Sequence, residues 1–409
     1  MIEIREGTKA DTDAAVEFLM RMHNPKFKKW FEVMADGTHP NIDISNFIIA
    51  YDTDKNKIAA SIIYQPWNYS YGGIILKGVR LEEAFCDPEY EKRKLIKNIL
   101  DKIAGLATDK GCLFELVYGQ DALYGLYNHF GYTFGIQGDM DGGYYYMTQN
   151  EETGDAFRIE EASDNDIPVA VKIYEKKYAR NLLTTYIGCD ELRHLESGYS
   201  GSGSYECKLY VIKSSEGNIC GFFYTQTDIK YIFLMELDDS CSYHQIRPYL
   251  MEFYIRCGLA KIPLMLGASH PAHMVFSACF HNREMPEHGY VRVYDIPKFI
   301  MSIADVLNKR LSDSPYAHFT GMFTMAMHNH DDVYKIDFLK GKLTNVSCAN
   351  IHSGEVNIER DRFIRLLFGR VSSEEINDEP YIYGFENEDY RNIYKILFPK
   401  MYSHIISLN

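Results

Sequence analysis

The stretch from Ile4 to Phe18 is echoed 155 residues later by Ile159 to Ile173. Ile4 falls over Ile159, Asp11 over Asp166 and Val16 over Val171. Both copies read as a strand, a polar loop and a helix. Solenoid repeats run to only about 20–50 residues, so a spacing this long points to a duplicated domain. The 409 residues leave room for a third unit beyond the two copies. With 46% hydrophobic and 14% aromatic side chains, the chain can fill several cores.

In the first copy, residues 2–5 read as a strand, and Ala14, Val16, Phe18, Leu19 and Met22 begin a helix. Residues 46–51 and 58–65 read as strands around a polar turn, and 74–85 as a longer strand. A helix is expected from Tyr90 to Thr108, stopping at Lys110-Gly111. A short buried strand follows at 112–119, then a short helix within 121–134 that runs into a turn at Gly131. The acidic stretch 149–155 reads as a linker. In the second copy, strands are expected at 208–212, 220–227, 231–237 and 263–266, with a helix at 245–258. Residues 291–300 lead into a third α+β region. Its hairpin strands are 320–327 and 333–338, a further strand is 342–346, and helices cover 361–367 and 388–397.

One element carries a chemical suggestion. Phe85 to Leu100 reads as a strand end, a turn at Asp87-Pro88 and a helix, with Leu95, Ile96, Ile99, Leu100, Ile103 and Ala104 on one face. Pro88 suits the opening turn, where a missing N–H matters little. Lys92, Arg93 and Lys94 fall in the expected first turn, and cations beside free N–H groups can hold a phosphate. An ordinary solvated helix start explains the same residues. The second copy has no such basic element.

The net charge of −14, from 57 acidic and 43 basic residues, argues against nucleic acid or an anionic membrane as partner. It suits a cationic substrate, and it suits solubility equally. Nine scattered cysteines without a CxxC pair fit a reduced, cytoplasmic compartment. The first residues lack the basic and apolar pattern of a signal peptide. No apolar run approaches the ~20 residues that span a bilayer.

Four stretches in this order resemble a known family: residues 87–96 (DPEYEKRKLI), 125–132 (GLYNHFGY), 291–300 (VRVYDIPKFI) and 397–409 (LFPKMYSHIISLN). They are similar to the Eis-type (enhanced intracellular survival) acetyltransferases of the GNAT superfamily. The resemblance implies an α+β chain of two tandem GNAT-like folds, mixed sheets flanked by helices, followed by a sterol carrier protein-like domain. The limits it implies are 1–150, 151–296 and 297–409. Acetyl-CoA would be the donor, a primary amine of a small molecule or a lysine side chain the acceptor, and no metal is involved. Related proteins assemble into hexamers, which implies a homo-oligomer.

The resemblance also assigns roles. Ala84, Phe85 and Cys86 would meet the pantetheine arm through their backbone, and N–H groups of Lys92, Arg93, Lys94, Leu95, Ile96 and Lys97 would wrap the pyrophosphate. The superfamily loop has Arg or Gln, two residues, Gly, one residue, then Gly or Ala. Here Glu91, Lys94 and Ile96 stand at those places, and Lys94 brings a side chain where glycine allows close approach. Tyr127 would be the general acid, a phenol that is protonated at neutral pH and can donate to a leaving thiolate. The same tyrosine also fits a core aromatic among Tyr124, Phe130 and Tyr132. The terminal carboxylate, on Asn409, would be the base, although the usual aromatic ending is replaced by Ser407-Leu408-Asn409.

Other clusters read more plainly. His270 and His273, with Pro271 between them, match no strong zinc pattern and read as loop or surface histidines. Cys86 has no readable base and reads as a small core residue. Two functions from different classes follow: an acetyl-CoA-dependent N-acetyltransferase, or a non-catalytic ligand-binding or scaffold protein that keeps the three-domain shell. Glu91 and Lys94 favour the second.

Overall fold

The computed structural model describes residues 1–119, 124–136, 143–146, 153–197, 206–227, 231–267, 269–276, 288–328, 332–350, 354–377 and 388–406. The first copy runs β1 (Ile2–Glu6), α1 (Thr12–Met22), α2 (Lys28–Asp36), β2 (Phe47–Asp52), β3 (Lys57–Tyr71), β4 (Ile74–Cys86), α3 (Leu95–Asp109), β5 (Phe114–Gly119), α4 (Tyr124–His129), β6 (Thr133–Ile136) and β7 (Gly143–Tyr146). The second runs β8 (Phe157–Glu161), α5 (Ile167–Glu175), β9 (Leu183–Thr185), α6 (Cys189–Ser197), β10 (Cys207–Ser214), β11 (Ile219–Gln226), β12 (Ile232–Leu237), α7 (Tyr243–Arg256), β13 (Lys261–Leu264), α8 (Pro271–Phe276) and β14 (His288–Val293). The third region comprises α9 (Ile296–Ser302), α10 (Ala304–Ser312), β15 (Gly321–His328), β16 (Asp332–Leu339), β17 (Lys342–Cys348), β18 (Val356–Glu359), α11 (Arg360–Leu367), α12 (Ser373–Asn377) and α13 (Glu388–Leu397).

The repeat holds down to individual hydrogen bonds. β1 and β8 are offset by the same 155 residues as the sequence echo. Ahead of α1, Thr8 donates its N–H and hydroxyl to Asp11 at 2.8 and 2.6 Å; ahead of α5, Ser163 does the same to Asp166 at 2.8 and 2.7 Å. Each acidic residue satisfies donors in the turn that starts the helix. The first sheet has the order β1-β2-β3-β4-β5-β14-β6, with β9 added on β3, and the second has β8-β10-β11-β12-β13-β7. In each, the fourth and fifth strands, β4 with β5 and β12 with β13, are the parallel pair.

The two sheets exchange strands. β7, which follows the first copy, pairs with β13 in the second sheet. β14, which follows the second copy, lies between β5 and β6 in the first. Residues 291–293 are therefore not the approach to the third region but part of the first sheet, one strand in from its β6 edge. Each of the limits at 150 and 296 thus leaves a strand on the far side from the sheet it joins.

β3 runs past the expected 58–65 to Tyr71. Pro66 hides this in the sequence, since proline is confined to places where no ladder N–H is needed. On one side Pro66 pairs with Val79 of β4; on the other, β2 stops at Ile63 and β9 begins only at Tyr69. The tip of the β3–β4 hairpin plugs the junction with the third region. Tyr71 stacks edge-on against Phe299 and Phe368. Gly72 has φ +56°, and a Cβ there would lie 2.9 Å from Val306, so a side chain is excluded twice over. The third sheet, β17-β16-β15-β18, packs Phe323 against Phe338 and Tyr394 at 5.8 and 5.3 Å. Among the described residues, no helix is long and apolar enough to cross a membrane.

Candidate active site

The site forms where β4 and β5 part. They pair only from Gly78–Leu81 to Phe114–Val117. Beyond Leu81, β4 follows β3 through a bulge: Ile63 faces Glu82 and Ser61 faces Phe85, so Glu83 and Ala84 share a single partner position. Glu83 sits at φ +52° in this bulge. β5 meanwhile continues along β14 as far as Gly119. The wedge between them is a cavity of about 900 Å³, within the usual range for small-molecule sites.

One wall is the segment Ala84–Cys86; the floor at one end is the start of α3. The expected helix from Tyr90 does not form there. A single tight turn spans Pro88–Tyr90, opened by Asp87, whose carboxylate accepts from the Glu89 N–H at 3.0 Å and from Arg21 at 2.9 Å. Tyr90 anchors this turn through a 2.6 Å bond to Asp52. Lys92 and Lys94 then take left-handed φ of +65° and +58°, and α3 begins only at Leu95. Lysine in this region costs about 1–2 kcal/mol per residue. At Lys94 the backbone thus adopts a conformation that favours glycine, with a lysine in place.

The consequence is a cluster of free donors. Among the described residues, the N–H groups of Lys92, Lys94, Leu95, Ile96 and Lys97 have no acceptor in the protein. These five residues line the cavity. Converging N–H groups at a helix start, with lysines around them, suit a phosphate. Arg93 does not line the cavity; its guanidinium lies over the Tyr90 ring at 5.0 Å. Lys97 is paired with Asp101 at 2.6 Å.

Two carboxylates enter the cavity from β4. Glu82 is paired with Arg80, which itself lies 4.9 Å over the Tyr118 ring. Glu83 has no such partner: its Oε2 is buried without a hydrogen bond. Burial, and secondarily the adjacent Glu82 charge, pushes the Glu83 carboxyl up to about 8. A carboxylate poised near neutral pH in a cavity is suited to proton transfer. Sequence reasoning misses it, because nothing local marks the bulge. Adjacent residues on a regular strand project to opposite faces, and it is the bulge that brings both glutamates to the cavity.

Tyr127 lines the opposite side of the cavity. Its hydroxyl lies 3.5 Å from the Tyr118 carbonyl, and its ring stacks on Tyr290 at 4.5 Å and 30°. It rests directly on Gly119, where a Cβ would come within 2.5 Å of the phenol oxygen. Asn409 lies outside the described residues. The described tail ends at Ile406 and runs beside β9, with the His404 N–H on Leu183 and the Ile406 N–H on the Thr185 hydroxyl at 2.8 and 2.9 Å.

Among the described residues, the corresponding place in the second copy is built differently. Ser242 and Gln245 cap α7 reciprocally, which takes up donors that the first copy leaves free. The preceding turn carries Asp238 and Asp239, paired with Lys176 and Lys177. The space between β12 and α8 is filled by His270, whose Nε2 bonds the Met235 carbonyl at 2.9 Å. His270 therefore lies in a loop, one of the two places expected from the sequence, but is buried rather than at the surface. Its neighbours Arg180, Glu236 and Tyr243 form one network. Among the described residues, no group of three His, Cys, Asp or Glu side chains could hold a metal.

No protein-family model and no curated protein sequence matches the chain. Solved structures do. A probable N-acyltransferase of unknown function from Enterococcus faecalis V583 matches with TM-score 0.73 at 10% identity, over 98% of this chain and 97% of that one. A GCN5-related N-acetyltransferase from Kribbella flavida matches with TM-score 0.72 at 10% identity, over the full length of both. Eis1 from Mycobacterium abscessus matches with TM-score 0.64 at 10% identity, over 100% and 99%. The chain therefore shares, end to end, the mixed α+β fold of GCN5-related N-acetyltransferases.

Proposed function

We propose that the protein is an acyl-CoA-dependent N-acyltransferase of the Eis type, moving an acetyl group from acetyl-CoA to a primary amine. In this reading its third region is the sterol carrier protein-like domain of such chains. The observation that carries the proposal is the set of free N–H groups on Lys92 and on Lys94 to Lys97, among the described residues, at one end of the β4–β5 wedge. They suit the donor's pyrophosphate, with the pantetheine arm lying along Ala84–Cys86. The thioester then falls between the two sides of the cavity.

The amine nitrogen attacks the thioester carbon. Glu83, ionised, takes a proton from the nitrogen, and Tyr127 gives its phenol proton to the departing thiolate. The carbon–sulfur bond breaks as the amide forms. The carboxylate of Asn409 is the base assigned by resemblance; Glu83 is favoured because it is placed in the cavity with an unpartnered oxygen.

Titration calorimetry with acetyl-CoA is the direct test. We expect saturable binding that weakens with salt, as a phosphate contact requires. No heat at millimolar acetyl-CoA would end the proposal.

A further inference from the structure

The wall that carries Tyr127 is built by a strand from beyond the second copy. On β14, Tyr290 and Arg292 are two residues apart and so share a face. Tyr290 is fully buried and stacks on the Tyr127 ring. Arg292 donates to the carbonyls of Phe130 and Leu100, both at 3.4 Å, and pairs with the buried Glu115. It also lies 5.1 Å over the Tyr132 ring. The N–H groups of Phe130 and Tyr132 both return to the Tyr127 carbonyl at 3.0 Å, around Gly131 at φ +83°. Leu100 belongs to α3, whose first residues form the phosphate-binding loop. One guanidinium thus ties the turn that holds the phenol to the helix that holds the loop.

We propose that Arg292 is a positioning residue that fixes Tyr127 relative to the donor loop, so that the exchanged strand completes the site. Only the kinetic arm of its test rests on the acyltransferase reading. A buried arginine–glutamate pair can also be plain core, and removing one partner strands the other. The full-length chain carrying Arg292→Met together with Glu115→Gln avoids that. We expect a melting temperature near wild type and an acetyl-CoA Kd within about threefold, with kcat lowered at least about tenfold, the loss of a misplaced acid. Adding Tyr127→Phe should lower kcat no further, because both changes remove the same function. A crystal structure of the double variant should show the Tyr127 ring displaced from Gly119 and Tyr290. Losses that multiply with Tyr127→Phe, or a ring left in place, overturn the proposal. If the wild type transfers no acetyl group to any amine, the function is wrong, and the ring position still decides the role of Arg292. Should the double variant not fold, Arg292→Lys keeps the charge beside Glu115 but cannot span both carbonyls, and the same ring displacement is expected.

Discussion

Replacing Glu83 by Gln tests the base through both stability and rate. The carboxyl titrates at 4.5 when unperturbed and at about 8 in the folded chain. The folded state therefore holds the proton more tightly than the unfolded one. Stability contributed by the protonated form is present at low pH and is lost as pH rises from the unfolded toward the folded value. Between about pH 5 and about pH 9 the loss integrates to about 4 kcal/mol. For a chain of this length unfolding as one unit, that is about 5 °C in Tm. Glutamine does not titrate, so Glu83→Gln should match wild type in Tm near pH 5 and exceed it by about that amount near pH 9. Differential scanning calorimetry across this range measures the gap. In the same range, kcat/KM of the wild type should rise through about pH 8 as the base ionises, and the variant should lack this limb and turn over about 100-fold more slowly or worse. Tm curves that stay parallel across the whole range would show that Glu83 is not held protonated by burial. A wild-type limb that survives in the variant would remove it as the base.

Two further substitutions examine the walls. Gly119→Ala places a methyl where the Tyr127 phenol lies; kcat should fall about as far as in Tyr127→Phe, roughly 100-fold, while calorimetry shows an unchanged acetyl-CoA Kd. Lys94→Gly relieves a left-handed lysine and should stabilise the fold by about 1 kcal/mol, read from denaturant midpoints. It also removes a cation from the mouth, so acetyl-CoA affinity should fall and become less salt-dependent.

The sequence carried the periodic parts of the fold and little of its long-range pairing. The echo between Ile4 and Ile159 survives as matched strands and matched Thr8–Asp11 and Ser163–Asp166 turns, because both are set by residues close in the chain. The placement of β7 and β14 was illegible, since nothing local tells a strand which of two similar sheets to join. At the site, the resemblance names Ala84–Cys86 and Lys92–Lys97, and all of them but Arg93 line the cavity. The helix start was placed too early because lysine at left-handed φ has no sequence signature. Glu83 and Arg292 leave no local signature either: Glu83 is defined by its burial in a bulge, and Arg292 by partners far along the chain.

The contrast between the two copies follows from how each treats the turn after its fourth strand. In the first, Lys92 and Lys94 hold strained left-handed backbone that no side chain caps, and the N–H groups stay free. In the second, Ser242 and Gln245 close the same donors and the acidic turn is neutralised by Lys176 and Lys177. The second arrangement caps two of its donors, the N–H groups of Ser242 and Gln245, and the first caps none of those from Lys94 to Lys97. Strain and unsatisfied donors that persist next to a relaxed duplicate are hard to attribute to folding alone, because the duplicate shows that this fold can be built without them. Through β14 the relaxed half still serves the strained one. It returns the chain to the first sheet with Tyr290 and Arg292 under the Tyr127 turn, so a strand from the second half supports the wall of the cavity in the first.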